Sequence, residues 1–103
     1  VRDAGIQRFE YSFEAVWKLA QAYLQEHEGC QCHSPKSCFR EAMRVGLLDA
    51  AETELCLGMT DDRNRTTHTY QVATAEAVFG RAASYLAVMQ RMADRIALRL
   101  GGA

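Results

Sequence analysis

A chain of 103 residues, 49% hydrophobic and 24% charged, has the composition of one small globular domain and not of a disordered segment. Its formal net charge of −1 excludes a general nucleic-acid coat protein, so any RNA or DNA contact must come from a local patch. No run of about 18 apolar residues occurs and no leader is visible from Val1, which predicts a cytoplasmic chain with no membrane span.

One proline and an abundance of Ala, Leu, Glu, Gln and Arg predict an all-helical chain. From about Asp3 to Glu28, Ile6, Phe9, Phe13, Val16, Trp17, Ala20, Tyr23 and Leu24 recur every three or four residues. They draw one apolar stripe along a long first helix, which Gly29 stops. Phe9, Phe13 and Trp17 make an aromatic ladder on it that reads as core. Glu14 precedes Lys18 by four residues, the favourable order for a helical ion pair.

Ser34-Pro35 opens a second helix, with serine as N-cap and proline at the first helical position. Phe39, Ala42 and Met43 form its apolar face, and Gly46 caps its end. Asp49 with Glu52 reads as a capping box opening a third helix, whose buried side is Leu55, Cys56 and Met59. A last long helix starts between Val72 and Ala75 and runs to about Leu100, before Gly101-Gly102. Its stripe is Val78, Phe79, Ala82, Leu86, Met89, Ala93, Ile96 and Leu100. The expected fold is an all-α, antiparallel up-and-down bundle of four to five helices in a single domain spanning 1–103, framed by its two long helices. A domain this small buries only roughly two-thirds of the surface its unfolded chain exposes, and spare apolar surface favours a homodimer.

The cysteines are Cys30, Cys32, Cys38 and Cys56, and three of the four crowd into nine residues. That spacing is poor for a disulfide framework, so free thiols are expected. Cys30, Cys32, His33 and Cys38 could offer soft ligands to zinc, but the pairs are tighter than the usual gap and no second knuckle exists. The cluster reads instead as an exposed loop with one buried cysteine, Cys38. No metal or cofactor is expected.

The chemistry concentrates in Arg63-Asn64-Arg65-Thr66-Thr67-His68-Thr69-Tyr70. A guanidinium makes two-pronged hydrogen bonds to phosphate, and an imidazole exchanges protons near neutral pH. On a continuous helix a spacing of five turns Arg63 and His68 about 140° apart, whereas Asn64 and His68 share a face. The β-branched run after Arg65 is a poor helix interior, so the third helix is expected to fray or end there. Arg63 and His68 would then meet across a turn, or across a two-fold axis with a second subunit. The plainer reading has Asn64 and His68 capping the helix and Arg63 paired with Asp61 or Asp62. Lys36, Arg40 and Arg44 make a basic stripe four residues apart that, with Arg65, could track phosphates. Arg91, Arg95 and Arg99 make a second stripe that reads as a solvated face.

The segment resembles the Arg-x4-His-x-Tyr motif of HEPN domains, and most closely their nucleotidyltransferase substrate-binding branch, whose toxin members are called HepT. Ile6 to Glu14 with Trp17-Lys18, Ser34-Pro35-Lys36 with Arg40-Glu41-Ala42 and Gly46 to Asp49, and Asp62 to Tyr70 resemble that branch's three signatures in order. The resemblance implies a bundle that works beside a separately encoded minimal nucleotidyltransferase, often as a toxin–antitoxin pair. Toxin members are metal-independent endoribonucleases with a dimer-interface site. Carried over, His68 would be the general acid or base, Arg63 would hold the scissile phosphate, and Asn64 would orient His68 or a phosphate oxygen. Tyr70 would be the tyrosine the partner modifies with AMP. The alternative is a subunit that binds nucleotide or another substrate without cleaving it. Relatives usually carry one more helix before the segment that starts at Val1, which is absent or not included here. The chain also departs from the branch in Gln71, where relatives often carry an acid, and in its cysteine cluster.

Overall fold

The computed structural model describes residues 4–68 and 72–101, with side chains for all of these except 67, 68, 72–77 and 79. It is an all-α bundle of four helices: α1 (Ala4–His27), α2 (Pro35–Arg44), α3 (Ala50–His68) and α4 (Val72–Arg99). The long apolar repeat of the first segment buries Ile6, Phe9, Phe13, Ala20, Tyr23 and Leu24 along α1. These side chains form the centre against which α2, α3 and α4 all pack. Gly29 at φ 68° turns the chain out of α1, and the Leu24 carbonyl accepts the Cys30 N–H at 2.9 Å.

Both predicted helix starts are built as the local sequence dictates. The Ser34 hydroxyl accepts the Ser37 N–H at 3.3 Å, and the Ser37 hydroxyl accepts the Ser34 N–H in return at 3.2 Å. At α3, the Asp49 carboxylate accepts the Glu52 N–H at 2.7 Å and Glu52 accepts the Asp49 N–H at 3.0 Å. These reciprocal caps satisfy donors that the first helical turn cannot pair internally. Gly46 lies just past α2 at φ 79°, a backbone region that costs a residue with a Cβ roughly 1 kcal/mol or more.

Several expectations shift. Met43 is exposed, because Cys38, Phe39 and Ala42 are the buried residues of α2 and Met43 stands at the edge of their stripe. α4 buries Val78, Tyr85, Val88, Met89, Met92 and Ile96, while Leu86 and Leu100 face outward. The buried stripe is rotated roughly 50° from the expected one. α3 remains helical through His68 instead of ending at Thr66. Thr66 is buried, and its hydroxyl lies 2.8 Å from the Glu10 carboxylate and 2.9 Å from the Arg63 carbonyl, so tertiary contacts override weak helix propensity.

The two long helices also run in the same direction, pairing Phe9 with Tyr85 and Tyr23 with Arg99. The antiparallel partner of both is α3, through Glu10–Thr66 and Glu14–Arg63 on one side and Glu52–Arg95 and Asp62–Arg81 on the other. After α1 the chain doubles back, with Gln21 donating to the Cys32 carbonyl at 2.8 Å. That return sets the first turn of α2 beside the C-terminal half of α3.

Candidate functional site

Arg63 sits about one and a half turns before the end of α3 and reaches across to α1. Its Nη2 donates to Glu14 at 2.8 Å, and its guanidinium stacks 4.9 Å from the centre of the buried Phe13 ring. Arg63 is thus paired with an acid, as the plainer reading has it, but the acid is Glu14 and not Asp61 or Asp62. Asp61 takes Lys36 at 2.7 Å, and Asp62 turns inward. Glu14 shares its carboxylate with Lys18 at 4.0 Å, the helical pair read from the sequence.

Arg63 borders a cleft of about 350 Å³ lined by Ser34, Pro35, Lys36, Thr60, Arg63 and Asn64. One wall is the first turn of α2; the other is the C-terminal half of α3. Thus Lys36, Arg63 and Asn64, chosen from separate signatures, meet around one opening. The other basic candidates do not join them. Arg40 is exposed away from the cleft lining, Arg44 is held by Glu41 at 2.9 Å, and Arg65 is bound to Asp62. His68 ends α3, so the backbones of Arg63 and His68 stand on one unbroken helix. Five residues of continuous helix separate them by about 140° around its axis. The side chain of His68, and Tyr70 altogether, lie outside the described residues.

The buried polar network next to the site was not legible in the motif. Asp62 is fully buried, and it accepts Arg81 Nε at 2.8 Å and Nη2 at 2.9 Å together with the Tyr85 hydroxyl and Arg65. Burial pushes its carboxyl up, but the hydrogen bonds from Arg81, Tyr85 and Arg65 outweigh that and hold it below the ordinary carboxylate range. Burial, and then the hydrogen bond to Asp62, push the Tyr85 hydroxyl up, so it stays a neutral donor. This network clamps α3 to α4 one residue before Arg63.

The second basic stripe is solvated, as read, but its arginines are also paired with acids. Arg91 and Arg95 both donate to Glu52, at 3.0 Å and 2.7 Å, and Arg99 reaches Glu28 at 3.4 Å. The cysteines also depart from expectation. Cys32 and Cys38 form a disulfide with Cα atoms 5.3 Å apart, and Cys30 and Cys56 are the free thiols. A spacing of six cannot frame a whole domain, yet the first turn of α2 brings Cys38 back to Cys32 and closes a local ring. Cys30, Cys32 and Cys38 are all buried, so the loop does not hide a single cysteine. The Cys56 thiol is pushed up to about 12, first by burial and then by the Glu52 charge, which makes it inert. Among the described residues no group of His, Cys, Asp and Glu stands together to hold a metal ion, and no helix is long and apolar enough to cross a membrane.

The family model described as nucleotidyltransferase substrate binding protein like matches residues 1–97, which takes in both walls of the cleft and the whole Arg63–Tyr70 segment. The chain belongs to this family. It is 30% identical over 86 residues to a Haemophilus influenzae protein described as a probable ribonuclease HepT. That match covers 80% of this chain but only 58% of the relative, so the chain spans little more than half of the relative's length. A crystal structure from Thermus thermophilus is 52% identical, superposes with a TM-score of 0.88, and is matched over 92% of this chain and 80% of that one. The Thermus thermophilus protein therefore shares this bundle. Here the second and third resembling signatures supply cleft-lining residues, while Glu14 and Phe13 of the first hold Arg63 at its edge.

Proposed function

We propose that this chain is a HepT-like subunit that works beside a separate minimal nucleotidyltransferase, as the toxin-type component of a toxin–antitoxin pair, and that it cleaves RNA without a metal. The observation that carries the reading is the cleft, where Arg63 and Asn64 from the motif face Lys36 from another signature. A guanidinium, an ammonium and an amide around one opening suit a phosphodiester. His68 acts as general base on the ribose 2′-hydroxyl or as general acid on the leaving oxygen. The 2′ oxygen gives up its proton and bonds to phosphorus, the bond from phosphorus to the 5′ oxygen breaks, and the 5′ oxygen leaves as a hydroxyl, with water as the other proton carrier. Arg63 holds the phosphate and stabilises the charge that grows on it, with Asn64 orienting a phosphate oxygen or His68. A separation of about 140° on a continuous helix keeps one chain from joining Arg63 and His68 readily, which favours a composite site in a homodimer. Tyr70, two residues beyond His68, is the acceptor for AMP from the partner. The added anion would engage the site's cations and exclude RNA.

The test is cleavage of labelled RNA in excess EDTA by wild type, His68→Ala and Arg63→Ala. Wild type is expected to cut and both variants to lose the activity, by at least about a hundredfold for His68→Ala. Equal cleavage by wild type and His68→Ala would remove the catalytic claim. RNA bound but uncut by all three would favour the second reading, a binding subunit that presents substrate to its partner. The family's own description as substrate binding is the observation behind that alternative.

A further inference from the structure

The disulfide and the cleft are parts of one object. Cys32 and Cys38 are six residues apart, and the segment they enclose contains Ser34, Pro35 and Lys36. Those three residues are the α2 wall of the cleft, facing Thr60, Arg63 and Asn64 on α3. We propose that Cys32–Cys38 is a redox modification site, reduced by a dithiol, and that its state sets the order of the cleft wall and hence the cleft's hold on a phosphodiester. The last clause rests on the function proposed above; the modification itself does not.

The local structure supports the proposal at each step. The connection between α1 and α2 has no helical or strand ladder of its own. At its start Glu28 is held by Tyr23 and Arg99, and the rest is tied down by the Cys30 N–H to the Leu24 carbonyl at 2.9 Å, Arg44 Nη2 on Cys30 Sγ at 2.9 Å, and the Gln21–Cys32 carbonyl bond at 2.8 Å. Gln31 and His33 are exposed on either side of Cys32. A short connection outside the helices opens locally more easily than the bundle unfolds. In the opened segment a reductant thiolate attacks Cys32 Sγ, which belongs to the more exposed of the two bridged residues. The Cys32–Cys38 bond breaks, and Cys38 leaves as thiolate and takes up a proton. The second thiol of the reductant then displaces Cys32 as a thiol, and the reductant departs as its own disulfide. The protein has gained two electrons and two protons.

Reduction removes the covalent ring that confines Ser34 to Ser37. The first turn of the wall is then held by the Ser34–Ser37 cap, by the Cys38 N–H on the Ser34 carbonyl at 3.0 Å, by the buried Phe39 and Ala42 that seat α2, and by Lys36 reaching Asp61 at 2.7 Å, an ion pair between two partly exposed side chains. Such a pair is weak in water. The oxidised protein therefore presents Lys36 in place, and the reduced protein must order it again whenever a ligand binds.

The experiment compares oxidised and dithiothreitol-reduced protein by three readouts. Alkylation under denaturing conditions followed by intact mass should label Cys30 and Cys56 in the oxidised protein and all four cysteines after reduction. Amide exchange followed by NMR should quicken about tenfold or more at Ser34, Ser37 and Cys38 on reduction, the order expected when a short ring is opened, and stay unchanged within α3. A labelled single-stranded RNA oligomer should bind the oxidised form roughly three- to tenfold tighter by anisotropy, the cost of re-ordering one or two side chains. The Cys32→Ser, Cys38→Ser double variant should match reduced wild type in both buffers. Alkylation of all four cysteines after oxidant treatment, or equal exchange at the three amides in both states, overturns the proposal. Failure of the RNA to bind either state, with exchange still redox-dependent, tells against the RNA reading and leaves the redox site standing.

Discussion

Glu52→Gln separates charge from shape at the centre of the α3–α4 interface. Glu52 is buried and accepts three donors: Arg95 Nη1 at 2.7 Å, Arg91 Nε at 3.0 Å and its own capping N–H from Asp49 at 3.0 Å. Arg95 is the main cause that draws its carboxyl from 4.5 down to about 2, against burial and with help from the Asp49 N–H and Arg91. A drop of about 2.5 pH units corresponds to a ceiling of about 3.4 kcal/mol at 1.36 kcal/mol per unit. Both guanidinium side chains are 39–47% exposed, so water screens the pair and about 1.5–2 kcal/mol is the expected loss at pH 7. Glutamine keeps the capping geometry, so the difference reports the charge. Because the folded carboxyl lies below its unfolded value, its contribution is complete above about pH 4.5 and is lost as pH falls through about 2. Urea unfolding followed by far-UV circular dichroism should give a constant gap between wild type and variant from pH 7 to 5, with roughly 40% of it left at pH 3. A gap that is the same at pH 7 and pH 3 would show that packing, not ionisation, stabilises this junction.

Asp62→Asn should cost about 2–4 kcal/mol in urea unfolding, since it leaves Arg81 and Tyr85 facing a neutral group in a buried network. A double-mutant cycle with Tyr85→Phe should show coupling of about 1 kcal/mol or more, and additive losses would refute the network. Two glycines should respond with opposite sign. Gly46→Ala forces a Cβ into φ 79° and should lower stability by about 1 kcal/mol, although the space is open to 3.6 Å at Arg99. Gly58→Ala meets nothing within 4 Å inside α3 and should raise the melting temperature by a few degrees.

What the sequence revealed follows from how local each signal is. The stripe of α1 and both capping boxes depend on residues three or four apart, so they could be read directly. α4 misled because apolar Leu86 and Leu100 stand outside the buried face, and counting them rotates the inferred stripe. α3 is harder still: Cys56 and Met59 mark the middle of its inner side as read, but Glu52, Thr53, Thr60, Asp62 and Thr66 are buried around them, so the apolar period does not extend along the helix. Thr53 and Thr60 bond carbonyls one turn back, but Glu52, Asp62 and Thr66 find partners on α4 and α1, up to 56 residues away, and no local pattern announces such pairs. The same distance hid Glu14 as the partner of Arg63, 49 residues apart. Cys32 and Cys38 were obscured differently, because ligand-type spacing and ring closure look alike until the path of the α2 turn is known.

Arg63 is a positioned cation, and the strengths of its contacts decide whether that helps or hinders a ligand. The buried Phe13 ring beneath it fixes the plane of the guanidinium, a contact worth about 0.5–1 kcal/mol or more where water is excluded. The Glu14 carboxylate that meets it is 43% exposed and shared with Lys18, so that pair contributes about 0–1 kcal/mol. A phosphodiester entering the cleft competes with a weak, solvated carboxylate but inherits an aromatic support that it does not have to displace. Removing Glu14 would therefore change the ease of binding less than moving α1 against α3 would. The orientation of Arg63 is set by helix packing across the core, and the Asp62 network one residue away holds that packing in place.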